Sequence, residues 1–136
     1  FQQHIEAQCK RLRTLGFTGT PIIRGNLNAM DKSLLPSLQT VCTEILNNIA
    51  KHGKPGAFAF ILSVGPDAVR IFASNLYNAA INSAPENHYG TALIQDFAQQ
   101  HNGTMTINSE NEEWSLSLTI PLAHQVKLMF SPTEKL

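Results

Sequence analysis

Glu44, Asn48, Lys51 and His52 carry the densest chemistry in this 136-residue chain. A carboxylate, an amide and an ammonium at i, i+4 and i+7 leave a helix on one side, because each residue turns it by about 100°. An amide oxygen suits a hard cation, an ammonium suits an anion, and a carboxylate can orient water or handle a proton. The same spacing also describes a solvated helix face with a Glu/Lys near-neighbour pair. Asn47 and Asn48 stand side by side near the expected helix end, where both are poor helix formers. Something other than helix propensity therefore favours them there.

The helix that must position these groups is legible around them. Leu34, Leu38, Val41, Ile45 and Ile49 recur at steps of three and four, so an amphipathic helix runs from near Ser33 to His52. Asp31 or Ser33 can cap it, Pro36 is tolerated in its first turn, and Gly53-Lys54-Pro55-Gly56 ends it. Ahead of it, residues 1–15 read as a helix with Ile5, Cys9 and Leu12 on one face and Gly16 as its stop. Thr20-Pro21-Ile22-Ile23-Arg24-Gly25 reads as a short edge strand because of its proline, and residues 26–32 as a polar loop. Behind it, Ala57–Val64 and Ala68–Asn75 form a hairpin across Gly65-Pro66-Asp67. Residues 76–89 are irregular and fit a lid, a short helix or a loop. Thr91–His101 is a second amphipathic helix ended by Asn102-Gly103. Met105–Ser109 and Trp114–Leu122 flank the polar tip Glu110-Asn111-Glu112-Glu113. Leu116, Leu118 and Ile120 alternate with Ser115, Ser117 and Thr119, which predicts a strand packed on one face only. The order predicts an α+β fold, a two-layer sandwich with helices on one face of a mixed, mostly antiparallel sheet.

Composition narrows the function classes. The length fits one domain with a sizeable core. Ten basic and ten acidic residues cancel, so no strong field recruits nucleic acid or an acidic membrane, and no nucleic-acid partner is expected. No apolar run reaches the roughly 20 residues that span a bilayer. The first residue is Phe1, which reads as a fragment with room for a membrane anchor elsewhere. Cys9 and Cys42 fit neither a metal spacing nor a disulfide framework, so two reduced thiols of a cytoplasmic protein are expected.

The run Glu44-x-x-x-Asn48-x-x-Lys51-His52 resembles the N-box of histidine-kinase-type ATPases. Downstream, Gly90-Thr91-Ala92-Leu93 resembles that family's G-box. It is followed by a helix, the Asn102-Gly103 turn and a strand pair ending in Ile120-Pro121-Leu122. The resemblance spans about residues 18–122. It implies the ATP-binding catalytic domain of a two-component sensor histidine kinase over residues 17–122, with 123–136 as a tail. Residues 1–16 would then be the end of a preceding helical dimerisation domain. The implied cofactors are ATP and Mg²⁺. The implied partners are a helical phosphoacceptor domain and a response regulator, in a homodimeric full-length protein. Carried over residue by residue, Asn48 would ligate Mg²⁺ and Lys51 would approach the phosphates. Glu44 would hold a metal-bound water or polarise the attacking group, and His52 would assist the phosphates or close the helix end. Gly90, Thr91, Ala92 and Leu93 would meet the triphosphate at a helix N-terminus. Asn75 stands where the family carries the Asp of Asp-x-Gly-x-Gly, and would offer its amide oxygen to the adenine amino group.

Three positions differ from the family pattern. Ser74-Asn75-Leu76-Tyr77-Asn78 lacks the glycines, Ala92 replaces a second G-box glycine, and Trp114 stands where a small pair is usual. These differences predict weakened ATP binding. They also keep two alternatives open: a degenerate ATPase-like interaction module, and an anti-sigma-factor-type Ser kinase. His4 is not followed by an acidic residue, as a phosphoacceptor usually is, and reads as a surface histidine.

Overall fold

The structure is a computed structural model and describes residues 1–77 and 91–122. Helix α1 (Gln2–Thr14) comes first, then strand β1 (Pro21–Gly25) and the long helix α2 (Leu35–His52). Strands β2 (Gly53–Val64) and β3 (Ala68–Tyr77), helix α3 (Thr91–Gln100) and strands β4 (Thr104–Glu110) and β5 (Glu113–Pro121) complete it. The strands form one sheet in the order β1-β2-β3-β5-β4. Among these described strands only β1 and β2 pair parallel. The sheet is therefore mixed and mostly antiparallel, and the three helices share a single core with one of its faces. This is the α+β two-layer sandwich expected from the sequence.

The predicted apolar positions make that core. Leu38, Val41, Ile45 and Ile49 of α2 are no more than 1 % exposed. They meet Phe60 and Leu62 of β2, Ile71 and Ala73 of β3, and Leu116 and Leu118 of β5. From α3, Ile94, Phe97 and Ala98 join the same core.

Helix α1 is sewn to the rest by its buried Ile5, Cys9 and Leu12. Arg11 Nη1 donates to Asn47 Oδ1 at 2.9 Å. The Thr43 hydroxyl donates to the Gln39 carbonyl, so it accepts from His4 Nε2 at 2.7 Å. His4 is thus half-buried and engaged with α2 rather than free at the surface. Burial pushes the Cys9 thiol up to about 11, and Cys42, more deeply buried beside it, is pushed up further. Neither is poised as a nucleophile at neutral pH.

Both helix stops predicted from glycine are Schellman closures. At α1, Gly16 takes φ +97°, and the Phe17 amide reaches back to the Leu12 carbonyl at 3.1 Å. At α3, Asn102 takes φ +58°, and the Gly103 amide reaches the Ala98 carbonyl at 2.7 Å.

Three boundaries differ from the sequence expectation. β3 continues past Asn75 to Tyr77, because β5 still pairs with it at Leu76–Glu113. β2 begins directly at the end of α2, and a bulge between Gly53 and Phe58 absorbs the Lys54-Pro55-Gly56 run. The stretch 26–34 is not a plain loop. It forms two short 3-10 turns, Leu27–Ala29 and Lys32–Leu34, the second capped by the Asp31 carboxylate on the Ser33 amide. The expected lid beyond Tyr77 and the tail after Leu122 lie outside the described residues.

Candidate functional site at the C-terminal end of helix α2

The last two turns of α2 carry Asn48, Lys51 and His52 to the edge of the core. Their exposure differs sharply: Glu44 is half-buried, Asn48 buried, Lys51 exposed and His52 half-buried. A solvated stripe would not bury its central amide. Asn48 is 2 % exposed, and its Nδ2 has no hydrogen-bond partner among the described residues.

Asn75 comes to the same end of the helix from the sheet. It lies on the core face of β3, opposite Phe58 on one side and Trp114 on the other. It too is 2 % exposed. Its Nδ2 donates to the Leu76 carbonyl at 2.7 Å, which fixes the amide plane, and its Oδ1 is left without a partner among the described residues. Leaving a buried polar group unpaired costs about 1–3 kcal/mol. Two such amides at the edge of one core are therefore expensive for the fold, and they offer one donor and one acceptor to a ligand.

Gly53 makes this juxtaposition possible. Its φ of −76° and ψ of 158° suit any residue, so its backbone conformation does not call for glycine. Space does: a Cβ there would collide with the Asn75 amide nitrogen and the Ile49 carbonyl, and would press on the Phe17 ring at 3.1 Å. Gly53 and Phe17 are site residues that motif reading missed. The available signal was a glycine directly after the helix-closing His52, which registers as a stop rather than as a contact.

The other expected ligands are distributed differently. Thr91 is half-buried at the start of α3, and Ala92 is exposed beside it. Leu93 is 42 % exposed. It lines a groove of about 490 Å³ between α3 and the N-terminal half of α2, with Ser37, Thr40, Val41 and Phe97, and so is not grouped with Asn75. Gly90 lies outside the described residues. Trp114 is fully buried beside Asn75, and its indole fills the core where a small pair would leave space. Among the described residues no three His, Cys, Asp or Glu side chains gather into a metal cage. No described helix is long and apolar enough to cross a membrane.

No protein-family model matches the chain, and no curated protein does. Solved structures do. The nucleotide-free catalytic domain of the histidine kinase ThkA superposes with a TM-score of 0.64 at 11% identity, over 88% of this chain and 92% of that one. The histidine kinase AdeS of Acinetobacter baumannii gives a TM-score of 0.66 at 11% identity, over 88% of this chain and 61% of its own. The blue-light-activated histidine kinase EL346 of Erythrobacter litoralis gives 0.63 at 11% identity, over 93% and 43%. At such identity the likeness speaks for architecture and not for chemistry. With its sheet order, its helix layer and these superpositions together, the chain has the fold of a histidine kinase catalytic domain.

Proposed function

We propose that this chain is the ATP-binding catalytic domain of a two-component sensor histidine kinase. It would transfer the γ-phosphoryl of ATP to a histidine on a helical domain outside this stretch, from which a response regulator would receive it. The observation that carries the reading is the pair of buried amides, Asn48 and Asn75, each with an unpaired polar atom among the described residues at the end of α2. Asn75 Oδ1 is an acceptor held in place by its own Nδ2 bond, which fits an exocyclic amino group of a base. Asn48 sits one turn before Lys51 on α2, so its amide oxygen would suit a magnesium ion and the Lys51 ammonium would suit the phosphates.

The residues present fit the cofactor as follows. Bound Mg-ATP supplies the transferable phosphoryl group and most of the metal's oxygen ligands, since magnesium keeps its waters and substrate oxygens. Asn48 would contribute one amide oxygen and Lys51 a positive charge on the phosphates. Half-buried Glu44 would orient water on the metal's side. Thr91 would open the N-terminus of α3, whose first-turn backbone N–H groups would meet the phosphates. Positioning and electrostatics of this kind are most of what phosphoryl transfer asks of a protein.

One observation favours a second reading. Trp114 fills the core beside Asn75 with a full indole, which suits a degenerate domain that keeps the fold and signals by protein contact. Calorimetric titration with a non-hydrolysable ATP analogue, with and without Mg²⁺, separates the two. The kinase reading expects Mg²⁺-dependent binding that weakens in Asn48→Asp while the domain stays folded. Absence of binding at millimolar nucleotide would leave the interaction module standing instead.

A further inference from the structure

The connector that leaves α1 runs past the candidate site and is bonded on both sides. Among residues 13–20 only Phe17 is buried, at 3 % exposed. Its amide donates to the Leu12 carbonyl at 3.1 Å, and Arg13 Nη1 donates to the Gly19 carbonyl at 2.9 Å, so the connector folds back onto the last turn of α1. Toward the sheet, the Thr18 amide donates to the Gly56 carbonyl at 2.8 Å, and the Phe58 amide donates to the Thr18 carbonyl at 2.9 Å. Thr18 thereby bridges in parallel to Ala57. Phe58 in turn lies opposite Asn75 across β2 and β3. The backbone on either side of Phe17 is therefore fixed by α1 and β2, and the ring is placed by that clamp.

We propose that Phe17 is a positioning residue for Asn75, through which the docking of α1 sets how firmly the site's acceptor is held. Its effect on nucleotide affinity rests on the nucleotide-binding reading above; its effect on Asn75 does not. The warrant is one shared space. A Cβ on Gly53 would collide with Asn75 Nδ2 and would lie 3.1 Å from the Phe17 ring, so ring and amide border the same point. The bond from Nδ2 to the Leu76 carbonyl fixes which way Oδ1 points, and Oδ1 has no partner of its own among the described residues. With the ring in place the amide has no room to turn, because interiors are close-packed. Removing the ring opens the space beside Gly53 and frees the amide to rotate.

The same helix reaches the strand's partner amide by another path. Arg11 Nη1 donates to Asn47 Oδ1 at 2.9 Å, one residue before Asn48. Helix α1 thus braces both elements that carry the unpaired amides, and Phe17 is the buried half of that brace. Coupling of this kind is reciprocal, so a ligand that holds Asn75 also holds α1 in its docked place. A ring that only filled the core would set stability and leave the Asn75 amide as it is.

Nitrogen-15 NMR of this chain reads the Asn75 side-chain amide directly, and Asn75→Asp assigns its signals by removing them. The series Phe17→Leu, Phe17→Val and Phe17→Ala shrinks the ring in steps, with circular dichroism to check folding; Phe17→Leu and Phe17→Val decide if Phe17→Ala does not fold. Ile5→Ala loosens α1 from its far end, and hydrogen exchange of the α1 amides reports that loosening. The Nδ2 proton bonded to Leu76 should exchange about tenfold or more faster in Phe17→Val and in Ile5→Ala, and stay near native in Phe17→Leu. In calorimetric titration with the non-hydrolysable ATP analogue, Phe17→Val should bind about tenfold more weakly and Phe17→Leu nearly as the native chain, as the loss of one oriented hydrogen bond requires. Asn75 signals that stay native in folded Phe17→Val, or in Ile5→Ala with α1 unprotected, would overturn the proposal. Native affinity in a variant whose Asn75 amide is freed would overturn it equally. A native chain that binds no nucleotide would remove the kinase reading alone, and the Asn75 signals would still decide whether Phe17 positions that amide.

Discussion

Strand β3 runs through two unlike neighbourhoods. Its first half presents Val69, Ile71 and Ala73 to Leu62, Leu116 and Leu118, an apolar interior with nothing left to satisfy. Its last part presents Asn75 to the end of α2, where two buried amides have unpaired atoms among the described residues and a glycine is required for space. The first region holds the fold together. The second costs it stability, as expected of the binding site proposed there and not of a core built by the same strand.

Substitutions should separate the two. The largest effect is expected in the apolar half. Leu116→Ala removes a fully buried side chain and should cost about 2–5 kcal/mol, seen as a lower denaturation midpoint, with nucleotide binding affected only through unfolding. Next is Gly53→Ala, whose Cβ meets the Asn75 amide and the Ile49 carbonyl. Overpacking of this kind costs about 1–3 kcal/mol. Here thermal stability and nucleotide affinity should fall together, since the collision displaces the amide itself.

Asn48→Leu should split them. It removes an unpaired buried amide and improves helix propensity, so stability should hold or rise by about 1 kcal/mol while nucleotide affinity is lost. A loss of stability in that variant would mean that Asn48 is a structural residue. The smallest effect lies away from both regions, at the thiols between α1 and α2. Cys9 titrates near 9.0 when unfolded and at about 11 when folded. From pH 9.0 upward the unfolded chain therefore binds fewer protons than the native one, and stability declines over that window. At neutral pH both thiols should resist alkylation in the native chain and react on unfolding.

Part of the site was legible in the sequence. The helical period fixed α2 and its buried face, and the spacing of Glu44, Asn48 and Lys51 placed them on one side of it. Burial of the middle member was not legible. A 3.6-residue period tells which residues share a face, but not what comes to lie against it. The same limit hid the role of Gly53, because a residue that ends a helix and a residue that admits another chain segment are both written as glycine. Leu93 illustrates the converse. Its place in a four-residue motif suggested a ligand contact, while the packing of α3 on α2 turned it toward Ser37, Thr40 and Val41.

What the sequence determined by itself was local: the two amphipathic helices, their glycine and asparagine stops, the alternation along β3 and β5, and hence an α+β sandwich. These follow from backbone geometry and hydrophobic period, which act over a few residues. The tertiary structure alone decided that Asn75 and the end of α2 meet across Gly53. It also decided that Phe17, in the connector after α1, borders that same glycine. Both depend on strand register across residues far apart in the chain, and register is set by the packing of the whole sheet on its helices.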